Sequence, residues 1–203
     1  EGVRLLTEGV HPIQIDNLGK AIGMPVGPLT VYDEVSLELS RKAWVTWKDM
    51  GVLDNWGDGT ITRDVIDTMV GEHGRGGRHH GGGFYEYGED GSKAIWPGLM
   101  DLYFNADASV AEDDMKDRLL FRQVIEALKC LETNVLRTVA DGNIGSIMGI
   151  GAPAWTGGLI QFVNTYGLER FSARCAELAN QYGDRFDAPA IVGEKIAAGE
   201  TFA

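Results

Sequence analysis

The chain has 203 residues and a formal net charge of −12. This acidic balance argues against a nucleic-acid-binding protein, because phosphate backbones are bound by clustered lysine and arginine side chains. Hydrophobic residues make up 44% of the sequence and charged residues 24%, which is typical of a soluble globular protein. No apolar run approaches the ~18 residues that a membrane-spanning helix needs, so we expect no membrane span.

The N-terminal third of the sequence predicts helices interrupted by one proline-rich segment. Glu1 opens a helix-like run without a cap or a signal-peptide pattern, so we expect the chain to be a fragment of a longer protein. A second helix is expected over about 12–22. GMPVGP at Gly23–Pro28 then ends it, because proline lacks a backbone donor. Pro28 suits the first turn of a long amphipathic helix predicted over Leu29–Trp47.

Residues 54–61, DNWGDGTI, invite comparison with a calcium-binding loop. Such a loop needs oxygen-bearing side chains at its third and twelfth positions, which are Trp56 and Val65 here. We therefore interpret the segment as a turn followed by a helix N-cap at Thr60 or Thr62.

The segment Gly71–Tyr87, GEHGRGGRHHGGGFYEY, holds the one concentration of basic residues in this acidic chain. Adjacent histidines point in different directions and have no cysteine or carboxylate at ligand spacing, which argues against a metal site. No strand precedes the glycines, as a dinucleotide-binding loop would require. Two interpretations stay open: a loop that contacts an anion through glycine backbone and arginine, and a solvated loop that leads into a hairpin.

The hairpin itself is predicted by two alternating segments, Phe84–Tyr87 and Ala94–Trp96, on either side of a turn at Asp90 and Gly91. We expect it to be the only sheet of the chain, and we place a domain boundary at about residues 93–113. Helices are predicted over 111–136, 139–148, 169–182 and 192–198, where apolar residues recur at helical spacing.

The stretch Gly149–Phe171 repeats the pattern of the N-terminal region. In both places an aspartate is followed by Gly-x-Pro, a glycine and an apolar run that ends in Leu-Glu. The matched pairs are Asp16 with Asp141, Pro25 with Pro153, and Leu37 with Leu168. This order predicts a degenerate duplication of one helical unit. The fold class that we predict is all-α, with two duplicated helical domains at 1–95 and 110–203 and one short β-hairpin between them.

The sequence contains no recognisable catalytic or metal-binding constellation. All four histidines lie in the first half, and no P-loop, CxxC or HExxH pattern is present. Cys130 and Cys175 are typical of reduced thiols in a cytoplasmic protein rather than of a disulfide. We predict no catalytic and no metal-ligating residue in this chain.

Several motifs together resemble one family. EGV at Glu8–Val10, GMPVGP at Gly23–Pro28 and DEVSLEL at Asp33–Leu39 resemble the C-terminal helical domain of 3-hydroxyacyl-CoA dehydrogenases. GRGGRHHGGGFYEY at Gly74–Tyr87 is similar to the end of that domain. The second half, with ADGNIGSIMGIGAPAWTGG at 140–158, resembles the degenerate second copy of the domain. That copy occurs in the multifunctional α-subunit of the fatty-acid β-oxidation complex.

The resemblance implies a 6-phosphogluconate dehydrogenase C-terminal-like fold. It also implies a parent enzyme that oxidises L-3-hydroxyacyl-CoA with NAD. In such parents an enoyl-CoA hydratase domain and a Rossmann domain come first, and the catalytic residues lie there, so the fragment alone would be inactive. It would close the acyl-CoA cleft and form subunit contacts, including those of a homodimer. The alternative is an interaction module that mainly docks a thiolase β-subunit and a second α-chain.

The resemblance also implies three site residues. Family members often place a lysine near the cofactor before the Gly-x-Gly-Phe-Tyr motif, and His79 with its neighbour Arg78 occupies that position here. We therefore expect Arg78 and His79 to contact NAD in the parent. In the second copy some α-subunits carry a substrate-contacting tyrosine after the Gly-Gly pair. The matching residue is Phe162, which we expect to contact substrate.

Overall fold

A computed structural model describes residues 1–52 and 59–203. Most of the segment that we compared with a calcium-binding loop lies outside the described residues. The helix that follows begins at Thr60, with Gly59 at its N-cap and no capping side chain. The predicted side-chain cap at Thr60 or Thr62 is therefore absent.

The described residues form two compact units. The first contains Glu1–Gly19 and Val26–Val110, and the second contains Lys20–Pro25 and Ala111–Ala203. These units are defined by packing, and the second takes in the short segment that carries part of GMPVGP. The ranges 1–95 and 110–203, which concern the duplicated domains, stay a prediction.

The first unit is built from short helices and one hairpin. In chain order its elements are α1 (Gly2–Thr7), α2 (Pro12–Ala21, whose last two residues belong to the second unit), α3 (Pro28–Val35), α4 (Leu37–Asp49), α5 (Thr60–Asp67), a π-helical turn (Thr68–Glu72), β1 (Tyr85–Tyr87), β2 (Lys93–Ile95) and α6 (Pro97–Tyr103). Its fully buried side chains come from nearly every element, and include Leu5, Ile15, Leu29, Leu37, Ile66, Met69 and Phe84. A single core therefore organises this unit.

The hairpin pairs β1 with β2 in antiparallel register, with Tyr85 opposite Ile95 and Tyr87 opposite Lys93. Within the described ranges these two strands form the one sheet of the chain. The predicted hairpin is thus confirmed, and it lies inside the first unit.

The second unit is entirely helical in its regular elements. They are α7 (Glu112–Glu132), α8 (Val139–Ile150), a 3₁₀ turn (Ala154–Thr156), α9 (Leu159–Tyr166), α10 (Leu168–Tyr182), a 3₁₀ turn (Asp184–Phe186) and α11 (Ala190–Ala198). The long helix α7 supplies the centre of the core, where the ring of Phe121 stacks on that of Phe171 at 4.8 Å between centroids. The predicted all-α class with two helical domains is confirmed.

The same kind of helix cap occurs in both units. In the first, the carboxylate of Asp16 on α2 accepts the backbone N–H groups of Leu29 (2.7 Å) and Thr30 (3.2 Å) at the start of α3. In the second, the side-chain oxygen of Asn143 on α8 accepts those of Ile160 (3.1 Å) and Gln161 (2.9 Å) at the start of α9. These N–H groups have no partner inside their own helix, so each side chain acts as a remote helix cap.

A glycine makes room for the cap in both units. A Cβ at Gly27 would lie 2.3 Å from Asp16, and one at Gly158 would lie 2.4 Å from Asn143. Both distances are shorter than any real Cβ contact, so only glycine fits there. Gly158, Ile160 and Gln161 follow Gly27, Leu29 and Thr30 by the same number of positions. The same cap, with the same spacing between its glycine and its backbone donors, is therefore present in both units.

This geometry corrects one pairing of the sequence analysis. Asp141, which we matched with Asp16, is exposed in the first turn of α8, and the capping role belongs to Asn143. The residue type differs between the two caps because an amide oxygen can accept the same two hydrogen bonds as a carboxylate. The pairing of Leu37 with Leu168 is confirmed, since α4 and α10 begin at these residues.

The predicted helix Leu29–Trp47 is in fact two helices. The chain turns between α3 and α4 at Ser36, whose φ of 87° lies in the region that favours glycine. Its hydroxyl accepts the N–H of Leu39 (3.3 Å) and donates to the carbonyl of Gly76 (2.9 Å). The second unit makes the same turn at Gly167, with a φ of 93°. Apolar periodicity runs through such a one-residue break unchanged, which is why the pattern predicted one helix.

We predict that the two caps differ in strength. Asp16→Ala should lower the free energy of unfolding by about 3 kcal/mol or more, because it leaves several buried donors without an acceptor. Asn143→Ala should cost about 1–2 kcal/mol, as expected for loss of a helix cap. Urea unfolding followed by circular dichroism would measure both.

The matched controls are Asn143→Asp, which keeps an acceptor and should stay within about 1 kcal/mol of the parent chain, and Asp141→Ala on the same helix. A larger loss from Asp141→Ala than from Asn143→Ala would contradict the assignment of the cap.

Candidate functional site

The buried side chain of Arg75 stabilises the glycine-rich loop before the hairpin by hydrogen bonds to its backbone. Its guanidinium donates through Nε to the carbonyl of Gly83 (2.6 Å) and through Nη2 to that of Tyr85 (2.9 Å). It also lies 4.6 Å from the ring centroid of Trp96. The side chain is buried, and burial lowers the pKa of Arg75 below its usual range. This arginine is therefore part of the fold and is not presented to a ligand.

Asp33 fixes β1 to helix α3. Its carboxylate accepts the N–H groups of Phe84 (2.8 Å) and Tyr85 (2.9 Å) and the hydroxyl of Tyr87 (2.9 Å). Burial raises the pKa of Asp33, and these hydrogen bonds act in the opposite direction. A Cβ at Gly83 would lie 2.0 Å from the same carboxylate, so the loop must be glycine at this point. Asp33 is fully buried, and its role is to anchor the strand.

Tyr85 links the two buried carboxylates. Its hydroxyl donates to Asp16 at 2.7 Å, and its backbone N–H donates to Asp33. The pKa of Tyr85 is raised well above its usual range, first by burial and then by the nearby Asp16 carboxylate. Lys93 of β2 lies 3.7 Å from the ring centroid of Tyr85. These contacts connect Asp16, Asp33 and Tyr85 in one continuous hydrogen-bonded network.

Sequence reasoning missed the role of this network, although a signal was available. Asp33 lies between Leu29 and Leu37 at helical spacing, and all three are fully buried. A charged residue in phase with an apolar stripe indicates a buried, hydrogen-bonded carboxylate.

Arg78 and His79, the predicted cofactor contacts, lie side by side on the exposed part of the loop. The Nη1 atom of Arg78 donates to Glu34 at 2.8 Å, and its guanidinium lies 5.3 Å from the ring centroid of Tyr87. A phosphate would therefore have to share Arg78 with a carboxylate. The contact of these residues with NAD stays a prediction.

Phe162, the predicted substrate contact, is 5% exposed and lies on α9 among aromatic rings. The ring centroids of Phe121, Trp155 and Tyr166 are 5.8, 5.9 and 5.3 Å from its own. It lines a cavity of about 390 Å³ within the second unit. We call this cavity the Phe162 pocket; its apolar lining residues are Ile22, Leu120, Trp155, Phe162 and Tyr166, and its polar ones are Lys116, Asp117, Thr156, Thr165 and Arg170.

Trp155 forms an exposed wall of the Phe162 pocket. The residue is 63% exposed, and its indole nitrogen donates to the carbonyl of Ile22 at 2.6 Å. This hydrogen bond fixes the ring in place, so the pocket is preformed on that side. A preformed apolar cavity with a few polar groups is the usual form of a small-molecule site.

Metal binding, thiol chemistry and a membrane span have little support in the described part of the chain. No group of three or more His, Cys, Asp and Glu side chains there is arranged to hold a metal ion. Both cysteines are free, and burial raises the pKa of Cys175 to about 12, so its thiol stays protonated near neutral pH. None of the helices in the described ranges has the length and apolar composition that crossing a bilayer requires.

Residues 1–87 match the protein family described as "3-hydroxyacyl-CoA dehydrogenase, C-terminal domain". The resemblance predicted from the motifs is therefore confirmed for this part of the chain. The matched range ends at Tyr87, the last residue of β1 and of the Asp33 network.

Two solved structures extend the likeness in fold to nearly the whole chain. The dehydrogenase part of multifunctional enzyme 1 from C. elegans covers 94% of this chain with a TM-score of 0.63 and 16% identity. 3-Hydroxybutyryl-CoA dehydrogenase from Escherichia coli K12 covers 97% with a TM-score of 0.66 and 17% identity. This chain spans only 44% and 57% of those two solved chains. At such identities the likeness is one of fold.

We predict that Arg75 and Arg78 respond very differently to the same substitution. Arg75→Met should lower the free energy of unfolding by about 2–4 kcal/mol, because two buried carbonyl groups lose their donors. Arg78→Met, the matched control in the same loop, should cost less than about 1 kcal/mol because its ion pair is exposed. Urea unfolding of the two variants would measure the difference. Equal losses would contradict the assignment of Arg75 to the core.

Proposed function

We propose that this chain, whose residues 1–87 match the C-terminal domain of 3-hydroxyacyl-CoA dehydrogenase, is the helical C-terminal region of an NAD-dependent L-3-hydroxyacyl-CoA dehydrogenase of fatty-acid β-oxidation. The observation that carries the proposal is the family match. The second unit supports it, because it repeats the remote helix cap of the first, as a degenerate second copy of the domain would.

In this proposal the chain supplies binding surface rather than reacting groups. The Phe162 pocket receives part of the acyl chain of the substrate, which its apolar lining would remove from water. The catalytic residues belong to an upstream Rossmann domain, in a parent that also carries an enoyl-CoA hydratase domain and works in the cytoplasm. The chain on its own is then inactive.

The cofactor side of the proposal rests on the exposed loop that carries Arg78 and His79. Glycines flank this pair, so the backbone can approach a ligand closely. Arg78 would contact a phosphate of NAD by exchanging its ion pair with Glu34, and His79 would add a hydrogen bond. Because the pair with Glu34 is exposed, such an exchange costs little.

A second candidate function is an interaction module that docks a thiolase β-subunit and a second copy of the α-chain. The observation in its favour is the number of large apolar side chains left exposed on single helices. Val31 and Val35 on α3 and Ile144 and Met148 on α8 are examples, each pair spaced by one helical turn. Such faces are typical of surfaces that a partner covers.

The proposal is tested by complementation. The chain is mixed with the Rossmann domain of a dehydrogenase of this family, and oxidation of a 3-hydroxyacyl-CoA is followed as NADH formation. We expect each part alone to be inactive and the mixture to be active. Calorimetric titration with acyl-CoA should show binding that strengthens when the Rossmann domain is present. Absence of activity and of acyl-CoA binding in every mixture would contradict the proposal and favour the interaction module.

The same assay tests the cofactor contacts. Arg78→Gln and His79→Gln should each raise the KM for NAD several-fold, by about 1 kcal/mol of lost binding, without changing the kcat. Arg63→Gln is the matched control, since Arg63 is an exposed arginine outside the glycine-rich loop that also pairs with a neighbouring carboxylate. An equal effect of all three substitutions would contradict the assignment.

A further inference from the structure

The charged residues that line the Phe162 pocket differ in whether they form ion pairs. Lys116 pairs with Glu112 at 2.6 Å, and Asp117 pairs with Arg174 at 2.7 Å. Arg170 differs from both, because among the described residues it forms no ion pair. Its guanidinium lies 5.1 Å from the ring centroid of Tyr166, which also lines the pocket.

Arg170 is exposed, and the chain as a whole has a net charge of −12. Carboxylates are in excess, yet the arginine beside the apolar cavity is left available. Within the described ranges Arg170 has no carboxylate partner, and it lies next to a cavity lined by Phe162, Leu120 and Trp155. Such a site complements a ligand with an apolar body and an anionic end. Arginine also binds a carboxylate through two parallel hydrogen bonds, so it favours that group over a single point charge.

We infer that the Phe162 pocket binds a fatty carboxylate, with the alkyl chain against Phe162, Leu120 and Trp155 and the carboxylate paired with Arg170. The inference rests on the proposed function in assigning an acyl chain to this pocket. It adds a ligand that the parent reaction does not consume. A free fatty acid held there would occupy the volume offered to the acyl chain of the substrate and would compete with it.

The chain offers an internal reporter for this ligand. Trp155 lines the pocket and is the only tryptophan of the second unit, so its fluorescence responds to occupancy. Sodium decanoate is the probe, decanol is the uncharged probe of the same chain length, and decanoyl-CoA represents the substrate class. We expect saturable quenching by decanoate, and its absence in Trp155→Phe.

The decisive variant is Arg170→Gln. It should raise the Kd for decanoate roughly fivefold while leaving decanol unaffected, and Arg170→Lys should restore part of the affinity. Arg137→Gln is the matched control, because Arg137 is an exposed arginine of the same unit that does not line the pocket. It should change the Kd less than twofold, roughly the scatter expected of an uninvolved surface charge.

The inference is overturned if decanoate leaves Trp155 unchanged, if decanol binds as tightly as decanoate, or if Arg170→Gln and Arg137→Gln behave alike. These results are separable from those that bear on the proposed function. Binding of decanoyl-CoA with no binding of decanoate would remove the inference and leave the proposed function in place. Binding of decanoate, with no binding of decanoyl-CoA and no activity in any mixture with the Rossmann domain, would keep the inference and contradict the proposed function.

Discussion

Two buried carboxylates hold the first unit of this chain together. Asp16 and Asp33 accept hydrogen bonds from backbone N–H groups at the start of α3 and along β1, and Tyr85 joins them. A buried carboxylate without such donors would be strongly destabilising, so the surrounding sequence must supply them at fixed positions. The glycines at 27 and 83 follow from the same constraint, because each leaves the space that a carboxylate fills. The motifs that resemble the dehydrogenase family are thus, in this chain, a structural framework.

The second unit retains the device in a reduced form. Asn143 caps α9 with a neutral amide where Asp16 caps α3 with a carboxylate, and Gly158 keeps the close approach. The break between two successive helices lies at Ser36 in the first unit and at Gly167 in the second. The hydrogen-bond geometry of the cap is thus the same in both units, although the capping residues differ. The same cap can therefore be made by different residue types, provided that the glycine beside it is present.

The sequence was sufficient for the all-α class, most of the helices, the hairpin and the family resemblance, because each depends on local periodicity or on a short motif. It was insufficient for side chains whose hydrogen-bond partners lie far away in the sequence. The helical spacing of Leu29, Asp33 and Leu37 was the one signal that Asp33 is buried. Within the glycine-rich loop no such period exists, so nothing in the sequence distinguished buried Arg75 from Arg78, which forms an exposed ion pair. The roles of Arg78, His79 and Phe162 depend on ligands, and they stay predictions.

The central claim is that one remote cap, made by Asp16 or by Asn143, starts a helix in each unit. The first N–H groups of a helix normally exchange rapidly with solvent, since they have no partner within the helix. Amide hydrogen exchange followed by NMR therefore tests the claim most directly. We expect slow exchange at Leu29, Thr30, Ile160 and Gln161, and rapid exchange in the first turn of α7, which has no capping side chain. Rapid exchange at either pair of capped amides would contradict the account.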